Sequence, residues 1–198
     1  MRRHHVFLSL KLVYTGYRYS GIKYECFLFT YLIDCSLNQR LNETESLMKF
    51  FIAGIMQGSL IPAELHAQNY RKQIEQLLLS TFDDAEVYDP LANHNQSIDY
   101  DDDTGKDTFF NHNRMCREVD CLVAFAPTAS MGTAIEMWEA FRSGKIVITI
   151  SPMVHNWVVK FCSHLVIESV EQFEQALNDG TIKQLIANHS QSIDPRVQ

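Results

Sequence analysis

The chain has 198 residues, 17 Lys and Arg against 24 Asp and Glu, and five cysteines, enough length for one domain with a true hydrophobic core. A net charge of −7 argues against a nucleic-acid groove, which needs clustered cations to neutralise phosphates, and leaves room for a phosphate-bearing small molecule. The charge is uneven: residues 1–47 carry +2 and residues 48–198 carry −9.

Residues 1–47 hold five of the eight tyrosines and show no sustained period of a strand or helix. Lys11 interrupts the apolar run and no small-residue cleavage site follows, so a secretory signal is a poor reading. Lys11, Arg18, Lys23 and Glu25 break every window long enough for a bilayer crossing, and no membrane partner is expected. Met48 opens the first strand pattern, Phe50 to Ala53, running into Gly54, and the fold, or the protein itself, is expected to start there. The spacing then predicts a helix over 63–80, with Leu65, Ile74, Leu77 and Leu78 inward and Arg71, Lys72 and Glu75 outward. A brief strand over 85–90 stops at Pro90, and a polar loop of about fifteen residues follows, a length usually functional or mobile.

A helix over 106–118 leads to Cys121–Ala126, an unbroken apolar run typical of a parallel strand covered on both faces. Residues 132–143 read as a helix stopped by Ser143-Gly144, 145–150 and 164–167 as strands, and 170–178 and 181–188 as closing helices. Five parallel strands with intervening helices give an α/β, doubly wound sheet of flavodoxin-like or Rossmann-like type, as a domain over 48–190 with a tail over 191–198. The five cysteines, Cys26, Cys35, Cys116, Cys121 and Cys162, form no C-x-x-C pair and no zinc spacing. Reduced thiols in a cytoplasmic protein are expected, with Cys121 and Cys162 as small buried hydrophobes, and no cofactor or metal is implied.

Ligands of such sheets bind at the carboxyl ends of the strands, which brings together 54–59, 127–136 and 151–157. Gly54-Ile55-Met56-Gln57-Gly58-Ser59 has two glycines bracketing a turn, so backbone N–H groups there can approach an anion, although neither a P-loop nor a dinucleotide fingerprint is present. Ser130-Met131-Gly132-Thr133 is a small-residue turn at a helix N-terminus, where free N–H groups and the helix dipole favour negative charge. Glu136 follows in the first turns of that helix, as a cleft carboxylate or as a complement to the dipole; Glu139 lies on a similar face or in solvent.

Together these motifs resemble the nucleoside 2-deoxyribosyltransferase superfamily, which includes the transferases and related N-glycosidases acting on nucleoside 5′-monophosphates. The resemblance covers about 49–167 and rests on Phe51-Ile52-Ala53-Gly54, Val119-Asp120-Cys121-Leu122-Val123-Ala124, Ser130-x-Gly132-Thr133-x-x-Glu136 and Gly144-Lys145. It implies that Glu136 is the nucleophile, attacking C1′ of the sugar to give a glycosyl-enzyme that another base or water resolves with retention. It also exposes departures. The aspartate that in the family precedes the strand-leading Asp by eight positions is here His112, within Asn111-His112-Asn113, which implies a general acid of different pKa, with Asn113 a further hydrogen-bond candidate. Phe51 stands where a tyrosine often orients the nucleophile. Ser130 stands where transferases carry an aspartate for the sugar 5′-hydroxyl, as in the monophosphate N-glycosidases, which tilts the substrate towards a 5′-nucleotide; Gln57 stands where those glycosidases place an arginine.

Asn156 reads either as a contact reaching a neighbouring subunit's site, which implies a homo-oligomer, or as a helix cap; Trp157 reads as core or interface. The acidic loop 99–107 fails the EF-hand frame and reads as a solvated cap of the next helix. Asp89 and Asn93 stand on the cleft rim as base or sugar contacts, while His66 and His94 read as surface. The resemblance therefore implies cleavage of the N-glycosidic bond of a nucleoside or nucleoside 5′-monophosphate, with transfer to another base or to water. Two alternatives stay open: a non-catalytic nucleotide sensor, and a phosphoribohydrolase of the lysine-decarboxylase-like type, whose fuller P-G-G-x-G-T-x-x-E signature is absent.

Overall fold

The structure, a computed structural model, describes residues 47–56 and 66–189. The N-terminal stretch up to residue 46, residues 57–65 with Gln57, Gly58 and the predicted helix start at 63 including Leu65, and the tail from 190 lie outside the described residues. Five short apolar runs form one parallel sheet: β1 (Met48–Gly54), β2 (Ala85–Tyr88), β3 (Cys121–Phe125), β4 (Ile146–Ile150) and β5 (Leu165–Ile167). Their order, β2-β1-β3-β4-β5, is the flavodoxin-like form of the doubly wound fold. The chain reverses direction across the sheet at β1, and a crevice opens there at the carboxyl ends of β1 and β3.

The connecting helices are α1 (Asn69–Thr81), α2 (Pro90–Asn93), α3 (Asp102–Glu118), α4 (Met131–Arg142), α5 (Trp157–Phe161), α6 (Val170–Asn178) and α7 (Thr181–His189). Alternation along the strands splits the interior into two layers. Phe50, Ile52, Val123, Ile148 and Ile150 pack against Ile74 and Leu78 of α1, Phe173 and Leu177 of α6 and Ile182 of α7. Phe51, Ala53, Leu122, Ala124 and Val147 face the other way, against Cys116 of α3 and Met137 and Ala140 of α4. Cys121 and Cys162 are buried free thiols, as expected, and Cys116 is a third. Gly144 takes φ 71°, the left-handed turn that stops α4 where Ser143-Gly144 predicts it.

Three expectations need correcting. The fifteen-residue loop is partly helical: Asp89 caps α2, accepting from Leu91 N at 3.0 Å with Pro90 in the first turn, and a 3-10 turn spans Ser97–Asp99. Asp101 caps α3 through Thr104 N at 2.8 Å, so α3 starts four residues before the predicted 106 while the acidic stretch acts as the expected cap. The five-residue α5 is too short for periodicity to reveal. The third correction is Arg71, which does not point outward; its side chain is 2% exposed. Among the described residues no helix is long and apolar enough to cross a membrane, and no group of three or more metal-ligating side chains gathers.

Candidate active site

Glu136 occupies the second turn of α4, beside Met137, which packs with Phe51 and Ala53 of β1. This puts Glu136 over the carboxyl end of the strand pair β1 and β3. The residue keeps some exposure, and it stands on the helix whose first turn lines the depression described below. Burial nevertheless pushes its carboxyl up to about 8, with the Arg71 guanidinium pulling the other way. No hydrogen bond from a described residue relieves that desolvation. Glu139, three residues on, turns away from the cleft and pairs with Arg142 at 2.7 Å and Arg117 at 3.5 Å.

The turn before Glu136 is built as the small residues predict. Ser130 caps α4: its Oγ accepts from Thr133 N at 3.4 Å and Thr133 Oγ1 at 3.1 Å, which leaves the Ser130 hydrogen free to donate. A Cβ on Gly132 would meet nothing within 4 Å, so the space above this turn is open to a ligand. Ser130, Thr133, Met153 and Asn156 line a depression of about 80 Å³, where the segments after β3 and β4 meet. Ser151 locks those segments together, donating from Oγ to Ala126 O at 2.6 Å. Asn156 is the cap of α5, its Oδ1 accepting from Val158 N at 3.0 Å and Val159 N at 3.3 Å, so its amide is partly committed within its own chain. Trp157 is 78% exposed and is no part of the core.

The opposite wall is one that sequence reasoning missed. Tyr70 of α1 stacks on Phe125 with ring centroids 4.0 Å apart, and its hydroxyl donates to Ile55 O at 3.2 Å. Burial pushes this phenol up to about 12, and Glu136 is among the charges that act on it. Gly54 is required here, because a Cβ would lie 2.9 Å from the Tyr70 ring carbons. Tyr70, Phe125, Ile55, His66 and Pro127 line a cleft of about 310 Å³, so His66 is a cleft residue and not simply a surface one. Phe51 is buried, stacked on Tyr88 at 5.5 Å, and no hydroxyl reaches Glu136 from that position.

His112 lies at the β2 edge of this region inside an aromatic cluster. Its Nε2 is 3.2 Å from the Tyr88 hydroxyl, and its ring lies 5.1 Å from that of His94, which in turn bonds the Tyr100 hydroxyl through Nδ1 at 3.0 Å. His94 is therefore half-buried and engaged, contrary to a surface reading. Burial first, then His94 and Arg71, bring His112 down to about 4, so at neutral pH it is an uncharged imidazole. Asn113, one residue on, does not present its amide to a ligand: it is 7% exposed and Nδ2 donates to Phe109 O at 2.8 Å. Its Oδ1 is buried with no partner among the described residues. Asp89 is similarly committed, its Oδ1 accepting from Arg71 Nη1 at 3.0 Å as well as capping α2, so the rim contact expected of it is spent on Arg71.

No family model and no curated protein matches the chain. Among solved structures it is similar to a conserved protein from Enterococcus faecalis V583, at 16% identity over 68% of this chain and 99% of that one, with a TM-score of 0.45. It is also similar to a CMP N-glycosidase of Clostridium botulinum, at 16% identity over 66% of this chain and 98% of that one, with a TM-score of 0.38. At that distance neither likeness assigns an activity.

Proposed function

We propose that the protein cleaves the N-glycosidic bond of a nucleoside or nucleoside 5′-monophosphate, with Glu136 as nucleophile. The observation that carries this reading is a carboxyl held without a hydrogen-bond partner among the described residues, in desolvating surroundings, directly after an open Ser-Met-Gly-Thr turn. A purely structural carboxylate at a helix start would be solvated or capped. In the reaction, an ionised Glu136 oxygen forms a bond to C1′ while the C1′–N bond breaks and its electron pair passes to the base nitrogen, which takes up a proton from solvent water. Water or a second base then attacks C1′ and releases Glu136, so the sugar keeps its configuration. Neutral His112 serves as a hydrogen-bonding partner of the leaving base.

Ser130 favours a 5′-phosphate: its uncommitted hydroxyl hydrogen and the first amides of α4 form a neutral donor set, and no carboxylate stands at that position to repel the anion. The acidic net charge does not oppose this, because local amides would hold the phosphate. The reading extends to a homo-oligomer. Met131 (82% exposed), Ile135 and Trp138 form an apolar stripe on α4, with Trp157 and Phe161 exposed on α5, which packs beside it. Sedimentation equilibrium of the wild type and of Trp138→Glu checks that part, with the variant expected to dissociate.

Incubating the full chain with a panel of nucleosides and 5′-monophosphates, followed by chromatography for free base, tests the main reading. Release from monophosphates in preference to nucleosides is expected. Binding of a nucleotide with no release of base would favour the sensor instead.

A further inference from the structure

Between β1 and β2 the register ends at Phe51 opposite Tyr88, where Asp89-Pro90 turns the chain into α2, while β1 continues to Gly54. The carbonyls of Ile52 and Gly54 project towards the side that β2 has left, and buried without partners they would each be costly. Arg71 takes the place of the missing strand. Its Nη1 donates to Ile52 O and its Nη2 to Gly54 O, each at 3.0 Å. Nη1 also donates to Asp89 Oδ1 at 3.0 Å, and Nε to Gln68 Oε1 at 2.7 Å. The planar guanidinium fork thus ties α1, the end of β1 and the end of β2 into one unit, and lysine has too few fixed donors to do so. Burying this cation is tolerated because a carboxylate and three neutral acceptors surround it.

Glu136 meets the same strand end from the other side of the sheet, since α4 packs on β1 and β3. We infer that Arg71 is a positioning residue for Glu136: from the α1 side it fixes the end of the strand on which the Glu136 helix packs, and it buries a positive charge at that strand end. The inference rests on Glu136 being the nucleophile proposed above. The other titratable groups that act on or are acted on by Glu136 are Tyr70 of α1 and Cys116 of α3, with Glu139 one turn on along its own helix; at their carboxyl ends β1 and β3 offer only apolar side chains. Tyr70 and Cys116 are pushed up by burial, so both stay neutral at working pH, and Glu139 is occupied by two arginines. Burial raises the Glu136 carboxyl, and the Arg71 guanidinium, itself balanced by Asp89, is the charge that opposes it.

The test is the titration of Glu136 itself, followed by carbon-13 NMR of the full chain labelled at glutamate side-chain carboxyls, with Glu136→Gln assigning the signal. Arg71→Met is expected to move the titration upward by about one pH unit or more. Asp89→Asn, which keeps Arg71 but removes its counter-charge, is expected to move it downward, and serves if Arg71→Met does not fold. A strut with a purely structural role would lower Tm and leave the Glu136 titration where it is. An unmoved titration in a folded variant overturns the inference. Because no substrate is involved, a wild type that releases no base while Arg71 still governs the titration would refute the glycosidase reading and not this one.

Discussion

The two ends of the sheet use the same kind of side chain in opposite ways. At the amino end, Asp120 sits exposed, accepts from Lys49 N at 2.8 Å and returns its own N–H to Lys49 O at 2.9 Å, so its carboxylate clips β3 to β1. At the carboxyl end, Glu136 has a desolvated carboxyl with no donor among the described residues, and Asp89 is spent on a buried arginine. A satisfied carboxylate stabilises; an unsatisfied one in a cleft costs stability and gains a reactivity that depends on pH.

The largest effect expected from this contrast is on turnover. Glu136→Ala should lower base release by about a thousandfold or more, because among the described residues no other carboxylate is free to replace it. Asp120→Ala should lower Tm slightly and leave turnover intact, and a comparable loss of activity from both would erase the contrast. Next comes pH. Since the attacking form is ionised and the carboxyl is held up at about 8, kcat/KM should rise about tenfold per pH unit below that value and level off above it.

Stability should run the other way. A carboxyl whose folded pKa is raised from 4.5 to about 8 favours folding while protonated, so its contribution is full below 4.5 and is lost as pH rises through about 8. Glu136→Gln should therefore raise Tm relative to wild type at pH 9, by several degrees, and leave it nearly unchanged at pH 4. A thermal melt at each pH checks this. The smallest effect is on selectivity: Ser130→Asp should lower kcat/KM for a 5′-monophosphate by about tenfold or more while sparing the unphosphorylated nucleoside. Equal losses for both would remove the phosphate from the account.

The sheet was legible because its central strands are covered on both faces, so β3 and β4 appear as unbroken apolar runs. The helix start at Ser130, and with it the place of Glu136 in the second turn, was legible because a run of small residues marks it. Arg71 carried a signal that its charge obscured: it falls on the same helical stripe as Ile74 and Leu78, and spacing was the better guide than polarity. The helical turns after β2 were announced by capping chemistry, Asp89 before Pro90 and Asp101 before Thr104, in a stretch too polar for periodicity to register. The cluster of His94 with His112 had no local signal, since residues 18 apart in sequence meet only when α3 folds back across the end of β2. Asn113 was misread for a related reason: on a helix, one residue's shift turns a side chain by about 100° and takes it from the cleft into the packed face.

The central claim is that Glu136 forms a bond to the sugar. Rapid acid quench of the full chain turning over a 5′-monophosphate, followed by peptide mass spectrometry, tests it most directly. The peptide containing Glu136 should gain the mass of the sugar phosphate, and the gain should vanish in Glu136→Gln together with base release. Base released at an undiminished rate by Glu136→Gln, with no adduct on the wild-type peptide, would contradict the account.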